Sequence, residues 1–258
     1  MVTIIPDVHG RTFWKQVIND IKDGESPIIF LGDYLDPYED EMIDFKDAIS
    51  NFNDIIEFKK ENRDRVTLLL GNHDIHYIDD SPDCRSSRYT SWAAEEVKQL
   101  ICKNIDLFQL ILKTEVNNKK FVFSHAGIRS GWLMQYKDEL KVGNYKTAAE
   151  MLNNLGINEL LKDPAYRTSI FDTLSAIPYS RGGISRYGSI VWENVPAYIH
   201  ETPIDGTIQI FGHTQLVENP VNIHNYYYDL DVRRGFMIND NGDVCELDGS
   251  VIPQTSLK

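Results

Sequence analysis

Cysteine is scarce: Cys84, Cys102 and Cys245 are odd in number and far apart. That leaves no basis for a disulfide framework or a thiolate zinc site and fits free thiols in a reducing compartment. Long apolar runs are also missing, since none approaches the roughly 20 residues of a membrane-spanning helix. A soluble protein without a membrane partner is expected. The opening MVTIIPDVHG has no basic leader, apolar signal core or small-residue cleavage site, so the expected location is cytoplasmic. The 16 glycines and 10 prolines are neither concentrated nor periodic, which excludes collagen-like and low-complexity chains, and no repeat at solenoid spacing is visible. Basic excess is absent too. With 26 Lys+Arg against 39 Asp+Glu the formal charge is −13, which repels polyanions and removes long nucleic acid from the expected partners. Part of the acid lies in DPYEDEMIDFKD, Asp36 to Asp47, a stretch that attracts divalent cations and opposes an incoming phosphate unless metals or arginines offset it.

What is present suits a folded enzyme-sized domain. The 258 residues are 42% hydrophobic and 25% charged, enough to bury a sizeable core. VTIIP reads as a strand, RTFWKQVINDIKDG as a helix closed by Gly24, SPIIFLGD as a second strand, MIDFKDAISNFNDIIEFKKEN as a helix and VTLLLGNHD as a third strand. This βαβαβ pattern, built from short continuous apolar strands, predicts a sheet covered on both faces. Functional groups are then expected in loops beyond the carboxyl ends of strands. Farther on, a loop through DDSPDCRSSRYT precedes a helix in SWAAEEVKQLICKN, and LFQLILKTEV, KKFVFSHAG and TIQIFGHTQ read as strands, with a turn at Asn117 and Asn118. Residues 130–205 read as helices and loops, and the C-terminal part as strands joined by Asn-Gly and Asp-Gly turns. No linker is visible, so 1–258 is read as a single domain with an insertion at about 130–205.

Five of these strands end alike: Asp7-x-His9-Gly10, Gly32-Asp33, Gly71-Asn72-His73-Asp74, Ser124-His125-Ala126-Gly127 and Gly212-His213-Thr214. Any one of them, alone, is better explained as a cap, a turn residue or a satisfied core imidazole. Independent strands have no reason to share such ends, whereas one common edge does. Carboxylate, imidazole and carboxamide together suit borderline divalent ions. Asp7, His9 and Asp33 are assigned to one ion, and Asp33, Asn72, His125 and His213 to the other. Asp33 bridges two cations that would otherwise repel at roughly 3.5–4 Å. Asn72 contributes a neutral oxygen, and the flanking glycines allow close backbone approach. The set accommodates Mn²⁺, the leading choice, and also Fe or Zn²⁺.

In their order, DVHG, GDYLD, GNHD, SHAG and FGHT resemble the calcineurin-like metallophosphoesterase superfamily over residues 7–214. The resemblance implies an α/β fold, a four-layer α/β/β/α sandwich with a dinuclear site at the strand ends, and agrees with the six ligands above. It adds His73 as a catalytic residue held by Asp36. Many members carry Gly-His-x-His in the last motif, but here Gln215 follows Thr214. That departure, with GDYLD and SHAGI, is more similar to protein serine/threonine phosphatases and bacterial dinucleoside-tetraphosphate hydrolases. Their second motif continues Arg-Gly, where this chain has Pro37 and Tyr38, and Asp74 and Leu70 stand where protein phosphatases carry glutamate and arginine. Another cation must therefore grip phosphate, or the ions must do so alone. Arg181 and Arg186 flank a glycine pair, Arg129 follows SHAGI, and Arg85 and Arg88 lie in CRSSRY; these five are the candidates.

The resemblance implies in-line attack on phosphorus by a hydroxide bridging the two ions, with His73 assisting the leaving oxygen. The leading expectation is a phosphomonoesterase acting on a phosphorylated small molecule or phosphoprotein. Nucleotide phosphodiesterase or dinucleoside polyphosphate hydrolase is the alternative, and a non-enzymatic metal-binding scaffold the third. The three tyrosines Tyr226 to Tyr228, and Trp14, Trp92, Trp132 and Trp192, are expected mainly to pack, with framing of a base as the other reading.

Overall fold

A computed structural model describes residues 1–21, 24–79 and 82–256. The strands are β1 (Val2–Ile5), β2 (Ile28–Phe30), β3 (Val66–Leu69), β4 (Phe108–Gln109), β5 (Ile111–Val116), β6 (Lys119–Ser124), β7 (Ile208–Phe211), β8 (Val221–Ile223), β9 (Tyr227–Asp229), β10 (Phe236–Ile238) and β11 (Val244–Glu246). The helices are α1 (Phe13–Asp20), α2 (Phe45–Glu61), α3 (Asn72–Ile78), α4 (Ala94–Lys103), α5 (Ser130–Gln135), α6 (Ala148–Asn153), α7 (Ile157–Lys162) and α8 (Arg167–Leu174).

Two mixed sheets face each other, ordered β11-β10-β1-β2-β3-β4 and β5-β6-β7-β9-β8. Alternation along each strand explains the layering. Ile4, Ile29 and Leu69 point inward and meet Phe121, Phe123, Ile210 and Tyr228 from the other sheet. Their neighbours Ile5, Ile28, Phe30, Leu68 and Val122 point outward and are covered by helical segments. The result is the α/β/β/α sandwich. Because β1, β2 and β3 are mutually parallel, as are β6, β7 and β9, their carboxyl ends collect along one edge of each sheet.

Several local expectations change. The first helix stops at Asp20, with Ile21 already extended, and its expected continuation through Lys22 and Asp23 lies outside the described residues. LFQLILKTEV is two strands: β4 closes the first sheet and β5 opens the second, so the chain passes between layers at Leu110. The Asn117–Asn118 turn has φ of 49° and 60°, the left-handed pair that a two-residue hairpin needs. The C-terminal strands are two hairpins, but β8–β9 completes the second sheet while β10–β11 returns to flank β1.

Gly-Asn-His-Asp, expected as a strand end, instead opens helix α3. Gly71 is its N-cap residue, and the Asp74 carboxylate, three residues on, accepts from the Gly71 N–H at 2.8 Å. That bond satisfies a donor that a helix start leaves open.

Candidate metal centre and catalytic cleft

The turn after each strand aims its polar residue out of the sheet, at a cost in backbone strain. His9, Asp33, Asp36 and His213 have φ of 45°, 52°, 57° and 71°, a region that disfavours side chains other than glycine. Asp33 is braced from α3: Asp74 accepts from the backbone N–H of Asp33 at 2.8 Å and of Tyr34 at 3.0 Å. Asp33 in turn accepts from the His73 N–H at 2.9 Å. Gly71 must lack a side chain here, because an added Cβ would run into Asp33 Oδ1.

All six expected ligands converge. His9 Nε2 stands 3.5 Å from Asp33 Oδ2 and 4.0 Å from Asp7 Oδ2. His125 Nε2 lies 3.4 Å from Asp33 Oδ2, 3.1 Å from Asn72 Oδ1 and 3.1 Å from His213 Nδ1. The donor atoms form one cluster of His9, Asp33 and His73 and another of Asp33, His125 and His213, a dinuclear arrangement with Asp33 common to both and Asp7 beside the first; a further cluster joins Asp36, His73 and His76. Asp7, His9, Asp33, Asn72 and His125 are buried. Asp7 also accepts from the His213 backbone N–H at 3.1 Å, which ties the two sheets together beneath the cleft.

Hydrogen placement indicates that these residues fit metal ions. His9 Nδ1 faces the Leu35 carbonyl at 2.7 Å and His125 Nδ1 the Leu31 carbonyl at 2.9 Å. A carbonyl only accepts, so each Nδ1 holds the hydrogen and each Nε2 turns a lone pair inward. Around His125 Nε2 the near neighbours are therefore mainly acceptors, and His213 Nε2 is buried without a partner. The field agrees. Burial alone would lower His125, yet Asp33 and Asp7 push it up to about 10, so this spot calls for positive charge, as a proton or as a metal. Burial and the neighbouring Asp231 hold the Asp7 carboxyl well above the usual range. Burial would raise Asp33 as well, but His125, His73 and His9 outweigh it and keep that carboxyl well below.

Beside the clusters lies a third group that the sequence reading captured only in part. Asp36 contacts His73 Nδ1 at 2.7 Å and His76 Nε2 at 2.8 Å, and it accepts from the Tyr77 hydroxyl. His76 Nδ1 accepts from the Ser86 N–H at 3.2 Å, so its Nε2 carries the hydrogen that faces Asp36. Burial pushes Asp36 up, but hydrogen bonds from His73 and His76 prevail and hold it at about 2. His73, His76 and Tyr77 are spaced i, i+3, i+4 on α3. That signal was readable only once a helix was assigned to NHDIHYI.

The cleft above these residues, about 540 Å³, is lined by His9, Asp33, Asn72, His73 and His213 below and by Arg85, Arg88, Arg181 and Trp192 above. The five candidate arginines separate here. Arg88 Nη2 lies 3.2 Å from His73 Nε2 and 3.4 Å from His9 Nε2, with its guanidinium 3.6 Å over the Tyr38 ring. Thus Tyr38, next to Pro37 at the place of the missing motif arginine, supports an arginine delivered from another loop. Arg181 donates to Thr214 Oγ1 at 2.7 Å, and Arg85 stacks on Tyr89 at the rim. Arg129 is instead bound by Glu201 at 3.0 Å and Glu193 at 3.6 Å, and Arg186 rests on Tyr187; neither lines the cleft. Of the acidic segment, Glu41 is neutralised by Arg11 at 2.8 Å and Arg233 at 3.2 Å. Tyr227 and Tyr228 are core residues, and none of the three tyrosines borders the cleft.

No helix among the described residues is long and apolar enough to cross a membrane. No curated protein matches the chain. Among solved structures, a cold-active protein-tyrosine phosphatase of a psychrophilic Shewanella species is similar at 15% identity and a TM-score of 0.53, covering 94% of this chain and 76% of that one. A second structure, of a cold-active protein tyrosine phosphatase, gives 17% identity and 0.54 over 94% and 74%. At such identities the likeness is one of fold. A protein serine/threonine phosphatase from Saccharomyces cerevisiae also aligns, at 14% identity and a TM-score of 0.45 over 89% of this chain and 66% of that one. The sequence itself matches the calcineurin-like phosphoesterase family over residues 1–216, the span that contributes both donor clusters, and the chain therefore belongs to that family of metal-dependent phosphoesterases.

Proposed function

We propose that the protein hydrolyses phosphate monoesters, on phosphoserine or phosphothreonine or on a small phosphorylated molecule, with Mn²⁺ as its working ion. The observation that carries this reading is the ring of Arg85, Arg88 and Arg181 around a cleft in a chain of formal charge −13. A monoester brings a dianionic phosphoryl group and a diester one charge, so three guanidiniums converging on one site favour the monoester. In this reading all of 1–258 serves one site, and the 130–205 insertion contributes Ile177, Ser180, Arg181 and Trp192 to the cleft wall.

Asp7, His9 and Asp33 would hold one ion, and Asp33, Asn72, His125 and His213 the other. When bound, the ions supply Lewis acidity to phosphoryl oxygens and lower the pKa of water for in-line attack. The chain's own residues do the rest. Asp36 fixes the His73 ring, so that its Nε2 faces the cleft and, in the imidazolium form with a proton taken from solvent, delivers that proton to the departing oxygen. His76 and Tyr77 keep Asp36 ionised and in place. Arg88 and Arg181 draw in the phosphoryl group and align it over Asp33. The motif pattern supports a tie to serine/threonine phosphatases. A nucleotide substrate is the second reading, supported by Trp192 and Tyr38 at the cleft wall, either of which offers a face to a base.

The test is a panel of phenyl phosphate, a phosphothreonine peptide, bis-phenyl phosphate and a dinucleoside tetraphosphate, after reconstitution with Mn²⁺. Turnover of the first two above the last two is expected. Faster turnover of the diester or the tetraphosphate would reject the monoesterase reading.

A further inference from the structure

β9 lies parallel to β7, so the chain leaving β9 emerges at the edge that carries His213. Two residues beyond the strand stands Asp231, 1% exposed. Its main chain is pinned: its N–H donates to Asp229 Oδ1 at 3.0 Å and its carbonyl accepts from the Leu216 N–H at 3.0 Å. Its side chain is not. Both carboxylate oxygens are buried with no hydrogen-bond partner, and no ion pair within 4.0 Å reaches them among the described residues. Arg11 and Arg233 act on it only through their charge: both are bonded to Glu41, and Arg11 Nη2 is buried without a partner of its own. Gly212 borders both Asp231 and Asp7: an added Cβ there would run into Asp7 Oδ1 and lie 3.8 Å from Asp231 Cβ.

A buried carboxylate without a hydrogen-bond donor and set beside Asp7 is under-satisfied, since protein interiors pair such groups or supply a cation. We propose that Asp231, in the turn after β9, is a further ligand of the ion held by Asp7, His9 and Asp33. The inference rests on the dinuclear reading above and extends it. It makes the two sites chemically unequal: the first is dominated by carboxylate oxygens from Asp7, Asp33 and Asp231, while the second keeps two imidazoles and a carboxamide. Oxygen-rich sites favour harder ions and imidazole suits borderline ones, so the first site is the one that selects Mn²⁺ over Zn²⁺.

The experiment is Mn²⁺ titration of the metal-stripped full chain by calorimetry, with metal content measured after desalting. Wild type should take up two ions. D231N should keep one at wild-type affinity and bind the other at least about 10–100-fold more weakly, and the loss should be smaller for Zn²⁺. A D231N protein that binds two Mn²⁺ with unchanged affinities would overturn the role of Asp231 and leave the dinuclear reading standing. Wild type binding fewer than two, or D33A still binding two, would overturn the dinuclear reading itself. Thermal melting covers a folding defect. D231N without metal should melt no lower than wild type and gain less on Mn²⁺ addition; a lower melt with an undiminished Mn²⁺ gain would make Asp231 a purely structural residue and reject the proposal.

Discussion

Replacing Asp36 by asparagine separates orientation of His73 from metal binding, because Asp36 touches the first and lies outside the two ion clusters that share Asp33. The native carboxylate receives hydrogen bonds from His73 and Tyr77 and has His76 Nε2 at 2.8 Å. An asparagine oxygen can accept some of these, but its NH₂ then faces a donor, so at least one partner is orphaned. A hydrogen bond to a charged group is worth about 1.5–3 kcal/mol, and 1.4 kcal/mol is tenfold in rate. D36N should therefore lower kcat for phenyl phosphate by roughly 10–10²-fold, with Mn²⁺ content unchanged. H73A should lower it by about 10²–10⁴-fold, and much less for a substrate whose leaving group needs no proton. Because Asp36 acts through His73, the double variant should be no slower than H73A alone. A double variant slowed by the product of the two single effects would refute the argument, as would loss of metal from D36N.

Stability gives a second readout of the same pair. Asp36 is held at about 2 against an ordinary 3.8, a depressed carboxyl whose stabilisation, about 2 kcal/mol by linkage, is fully present above the ordinary value. It is lost as pH falls through the folded value. Urea unfolding at neutral pH should thus find D36N less stable by about that amount, and the gap should close as pH is lowered from about 4 toward about 2. A gap independent of pH would refute the assignment.

Two further outcomes follow from the geometry. Gly71→Ala, whose backbone φ of −101° imposes no strain on alanine, should displace Asp33 by steric contact alone; metal analysis should find fewer than two Mn²⁺ per chain, and full occupancy would show that Asp33 has room to yield. Alanine at Arg88 or Arg181 should lower kcat/KM for a monoester by about 10-fold or more, in line with a charge-assisted phosphate contact, whereas alanine at Arg129 or Arg186 should leave it within about twofold; equal effects at all four, in steady-state kinetics, would remove the distinction drawn from the cleft.

The sequence by itself determined the strands, through apolar runs that must be buried, and with them the candidate metal ligands. Once β1, β2, β3, β6 and β7 exist, a layered α/β chain brings their carboxyl ends to shared edges, and the polar residues written there have to meet. Asp7, His9, Asp33, Asn72, His125 and His213 were legible for that reason. Other features depended on contacts between segments far apart in the chain. Whether LFQLILKTEV is one strand or two is decided by which sheet needs an edge. His76, Tyr77 and Asp74 became braces only when Gly71 opened a helix against the turn after β2. Arg88 was separated from Arg129 by the docking of the loop at Ser86 onto His76 and by the capture of Arg129 by Glu193 and Glu201. Asp231 acquires its meaning only from the parallel pairing of β9 with β7, a long-range registration that local propensity does not encode.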